Sequence, residues 1–102
     1  SAKEWINALR DRANAELRSS YTLEDVLDER ARELYCEGLR RTDLIRYNQF
    51  GGAQATYNWE LKGGSTNGTT FAKTYNVYPL PSSEVLSNKN LTQIDGYNEV
   101  QN

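Results

Sequence analysis

Three carboxylates, Glu29, Glu33 and Glu37, recur at four-residue intervals, a spacing that sets them along one edge of a helix. Acids aligned in this way could form the paired centre of a glycosidase or hold a metal ion. The other residue types point elsewhere. The 102 residues contain no histidine. An E-x-x-H metal partner, a His-based triad and the commonest general base are therefore absent, and catalysis would fall on carboxylates, Lys or Tyr. Arg30, Arg40 and Arg41 stand where they can neutralise the acids. Arg30 shares a stripe with Leu27 and Leu34, and Asp43 lies within reach of Arg40 or Arg46. The reading is a structural ion network of Glu29, Arg30, Glu33, Glu37, Arg40, Asp43 and Arg46, partly paired across helices. It includes no catalytic residue, no metal and no other cofactor.

A second set of residues could bind rather than react. Tyr57, Trp59 and Tyr75, with Asn58 and Asn76 beside them, combine aromatic faces with amides, the pairing that takes the apolar side of a pyranose and its hydroxyls. The alternative is that these rings alternate between the core and surface of a hairpin, or pack on upstream helices. Cys36, the single cysteine, excludes an internal disulfide and reads as a small packing residue within a helix. Asn67-Gly68-Thr69 and Asn90-Leu91-Thr92 match the N-glycosylation acceptor pattern, which matters only in a eukaryotic secretory pathway.

The elements that must carry these residues follow from periodicity. Ile6, Leu9, Ala13 and Leu17 fall at helical spacing and predict a helix over 3–19. Thr22, with Asp25 three residues on, forms a capping box for a second helix over 23–37, with Glu24, Asp25 and Asp28 favoured near its N-terminus by the helix dipole. Gly38 ends or bends it before a third helix over 39–48. Beyond Gly51-Gly52 the composition turns strand-like, and a small β-hairpin or loop is expected over 53–78, its turn in the stretch from Gly63 to Gly68. Pro79 and Pro81 stop any strand, a serine caps a single turn around Glu84 to Leu86, and a closing coil occupies 79–102. The fold class is mainly α.

Net charge is −2, with acidic and basic residues intermixed, which leaves no basic face for nucleic acid. No apolar run approaches the roughly 20 residues that span a bilayer. With no methionine and a modest core, the chain reads as a piece of a longer polypeptide.

The block Leu27-Asp28-Glu29-Arg30-Ala31-Arg32-Glu33-Leu34, with Glu37-Gly38 and then Arg40, Asp43, Leu44, Ile45, Arg46 and Tyr47, resembles the E-R-x-x-E-L, E-G-x-R and D-L-x-R-aromatic pattern of the SusD/RagB family. Tyr78-Pro79-Leu80-Pro81, Glu84, Asn88, Asn90-Leu91-Thr92-Gln93 and Gly96-Tyr97 are similar to that family's closing segment. Departures are Cys36, Thr42 and Ile94-Asp95. The resemblance identifies 1–102 as a C-terminal region of such a protein, part of a TPR-like helical scaffold. It implies a non-catalytic subunit that binds a nutrient, with oligosaccharide as the expected ligand, beside a SusC-like TonB-dependent transporter. It also implies a surface-exposed lipoprotein of the cell outer membrane, held only by a lipid anchor N-terminal to these residues. In such a protein this chain would be mostly structural. The alternative is a helical module whose partner is a protein or peptide.

Overall fold

The computed structural model describes residues 1–97, so the last five positions of the expected closing coil lie outside the described residues. The chain is mainly helical and divides into two compact units, Ser1–Tyr47 and Asn48–Asn102.

The first unit carries α1 (Ala2–Arg12), α2 (Leu23–Glu33) and α3 (Arg40–Arg46). Ile6, Leu27 and Leu44 are its buried apolar residues. α1 stops at Arg12 rather than near Ser19, because side chains take over the backbone groups that a longer helix would use. Asn14 turns left-handed at φ 54°, and Arg10 Nε donates to the Glu16 carbonyl at 2.5 Å. Asn7 then grips both peptide groups of Arg18, its Nδ2 donating to the carbonyl at 3.0 Å and its Oδ1 accepting from the N–H at 3.1 Å. The Tyr21 hydroxyl donates to the same Oδ1. Leu17, expected on the apolar stripe, is therefore exposed.

α2 begins as the sequence indicates. The Asp25 N–H donates to Thr22 Oγ1 at 3.2 Å, and the Thr22 N–H donates to Asp25 Oδ2 at 2.8 Å, closing the reciprocal box. Its end comes sooner than residue 37. Cys36 and Gly38 adopt φ of 62° and 76°, so the chain leaves the helix before Gly38. Cys36 is consequently exposed in a left-handed turn, and the reading of it as a helical packing residue is corrected. α2 packs on α3, which ends at Arg46 because Asn48 is again left-handed at φ 59°.

The second unit holds no hairpin among the described residues. Strand-like composition between 53 and 78 is overridden by Leu61, Gly63, Gly64 and Gly68, all left-handed, which curl the chain into a loop with a 3-10 turn at Lys62–Gly64. The ladder reduces to one isolated bridge between Gly51 and Phe71. A second 3-10 turn spans Lys73–Asn76, and α4 (Ser82–Ser87) extends the expected single turn, starting directly after Pro81.

Candidate functional site

The charged residues of the first unit form a ladder between its helices. Arg10 of α1 and Glu29 of α2 pair at 2.9 Å, both nearly buried, and Arg32 reaches the same Glu29 oxygen at 2.8 Å. Arg12 pairs with Glu33 at 2.6 Å. Arg30 Nε donates to the buried Asp43 at 2.8 Å, tying α2 to α3, and Arg40 donates to the Leu27 carbonyl at 2.8 Å. Asp43 thus bonds across helices to Arg30 rather than along its own helix to Arg46. Among the described residues Glu37 and Arg46 form no ion pair. Burial raises the Glu29 pKa, but hydrogen bonds from Arg32 and Arg10 and their charges outweigh it, so the net direction is downward. A carboxylate so held stays ionised at neutral pH, which suits a structural tie and not a general acid.

The second unit gathers aromatic rings around Phe71. Phe50 meets it edge-on at a centroid distance of 5.3 Å, Trp59 at 6.3 Å and Tyr75, tilted, at 5.8 Å; Tyr97 continues the row from Tyr75 at 6.1 Å. Trp59 and Tyr75 keep 39% and 52% of their surface open. The structure thus brings these two sequence-derived candidates onto one hub residue. Tyr57 is half-buried and joins through its backbone, its N–H donating to Gln49 Oε1 at 3.1 Å and its carbonyl accepting from Lys62 Nζ at 3.2 Å.

Beneath this row sits Lys62, 1% exposed. Its ammonium also donates to Asn58 Oδ1 at 2.9 Å and lies 4.8 Å from the Trp59 ring centroid and 5.1 Å from that of Phe71. Desolvation pushes its pKa down. Asn58 Nδ2 is directed to Thr70 Oγ1 at 3.3 Å, so both ends of that amide are engaged inside the loop. Gly68 is required here: it sits at φ 73°, and a Cβ would strike the Trp59 carbonyl.

Two closing residues set the rim. Gln93 clamps Leu80 with its amide, accepting from the N–H and donating to the carbonyl, each at 2.9 Å. Tyr97 donates its hydroxyl to the Val77 carbonyl at 2.8 Å. Lys62, Phe71, Gln93 and Tyr97 were not among the candidates. Gln93 and Tyr97 carried a signal, their place in the closing motif, whereas Lys62 reads in sequence as an ordinary surface lysine.

With this geometry in hand, comparison with known proteins defines the class. The model of the SusD family matches residues 1–97, and the chain belongs to the SusD family. A relative is the starch-binding protein SusD of Bacteroides thetaiotaomicron, 45% identical over 93 residues, which cover 90% of this chain and 16% of that protein. The chain therefore spans about a sixth of the length of the curated relative it matches.

Proposed function

We propose that this chain is part of a non-catalytic subunit that binds oligosaccharide, with an α-glucan as the first ligand to try, for uptake through a SusC-type transporter in the outer membrane. The similarity to a starch-binding protein along 90% of the chain carries the reading. In this view the protein is anchored at the cell surface by a lipid upstream of these residues. The first unit is structural: its Glu29, Glu33 and Asp43 are tied to arginines of a neighbouring helix. The second unit contributes the ring face, where Trp59 and Tyr75 stack on the apolar side of a sugar. Their partly open rings, fixed on Phe71 in a T-shaped and a tilted contact, support that role. An alternative, a helical module for a peptide partner, draws on the groove of about 250 Å³ lined by Ile6, Leu9, Val26 and Leu34 with Glu29, Arg30 and Glu33.

Affinity electrophoresis of the intact protein in gels containing soluble starch tests the reading. Trp59→Ala should lose most of the retardation of the wild type while staying folded, its melting temperature lowered only by the loss of the ring's contacts with Phe71 and Lys62. Retardation equal to wild type would remove Trp59 from the contact. A wild type that starch and other glucans leave unretarded would favour the peptide module.

A further inference from the structure

Lys62 is buried without a carboxylate. Among the described residues it forms no ion pair, and its ammonium is stabilised by one carbonyl, one side-chain amide and two aromatic rings. An aliphatic residue of similar volume would fill this space without the desolvation that a cation incurs. The arrangement makes sense where the charge holds something in place. A cation over an indole is attracted to the ring's negative face, and here its other bonds go to Tyr57 and Asn58, the two residues that lead into Trp59. The Lys62 N–H donates to the Trp59 carbonyl at 3.1 Å and the Thr69 N–H to the Lys62 carbonyl at 3.0 Å, so the lysine backbone is fixed on both sides of the loop.

We propose that Lys62 is a positioning residue for the ring face: its ammonium, lying over the Trp59 indole and against Phe71, holds that indole in the one orientation that leaves its remaining surface open to a sugar. The cation occupies one face of the ring and Phe71 meets it edge-on. The side chain therefore cannot rotate without giving up both contacts. The sugar part of this inference rests on the glycan-contact reading of Trp59; the positioning part does not.

The test uses the intact protein labelled with 5-fluorotryptophan, with the Trp59 fluorine resonance assigned by its loss in Trp59→Phe. Lys62→Met should shift and broaden that resonance and weaken binding of a soluble maltooligosaccharide by about threefold to tenfold. Lys62→Arg, which restores the charge, should recover line width and affinity together. A folded Lys62→Met protein whose Trp59 resonance is unmoved overturns the proposal. A moved resonance with unchanged affinity upholds the positioning and sinks the glycan contact instead. Should Lys62→Met not fold, the wild type still decides. Its Lys62 ε-methylene signal, assigned with Lys62→Arg, should lie upfield of the other lysines and return toward them in Trp59→Leu, and a signal among those of exposed lysines overturns the proposal.

Discussion

Glu29 and Glu33 are both acids paired with arginine, yet their surroundings give them different weights. Glu29 and Arg10 are nearly buried, so Glu29→Gln strands a guanidinium in the interior and should destabilise the protein by about 3 kcal/mol, read as a fall in melting temperature. The Arg12 side of the Glu33 pair is open to water, and Glu33→Gln should cost at most about 1 kcal/mol. Equal losses would contradict the difference in burial. The pH dependence has a definite sign. Because the Glu29 pKa is lowered from 4.5 in the folded state, its contribution is complete above that value and is lost as pH falls through the lowered one. Thermal melts from neutral to acid should show this loss, and Glu29→Gln should flatten it. Lys62 acts at the other end. Its pKa is lowered from 10.5, so in the window just below that value the unfolded chain binds more protons, and this group adds stability as pH rises.

At the level of elements, the segment around Pro79 and Pro81 shows how an extended stretch is satisfied without a sheet. Neither proline has an N–H to donate, and Gln93 supplies the missing ladder to Leu80 between them. Gln93→Ala leaves both peptide groups of Leu80 without that partner and should cost about 1–3 kcal/mol. Amide exchange at Leu80 should accelerate accordingly; unchanged exchange would mean another group protects it. What the sequence made legible divides along the same line. The start of α2 could be read because Thr22 and Asp25 are three residues apart and act locally. The end of α1 could not, because it depends on Asn7 and Arg10 reaching backbone groups many residues on. The expected hairpin failed for a related reason: strand-like composition did not reveal that Leu61, a residue with a Cβ, would sit left-handed beside three glycines that do so readily. Of the candidate site, Tyr57, Trp59 and Tyr75 were visible as ring types beside amides, but not which of them the fold leaves open. Lys62 was hidden, since only the fold brings its ammonium under the rings.

On the scale of the whole molecule, the chain is two small units. The first has a helical core of Ile6, Leu27 and Leu44 fastened by ion pairs, and the second is a looped body organised on Phe71 and closed by Gln93 and Tyr97. The family match runs through both, while the ring cluster on Phe71 proposed as the sugar contact lies in the second. This division of labour is the central claim, and hydrogen–deuterium exchange of the intact protein, with and without a saturating soluble maltooligosaccharide, tests it most directly. The account predicts slowed exchange in the loop from residue 57 to 71 and around Tyr75, with the helices of the first unit unchanged. Protection confined to regions outside this chain would contradict it.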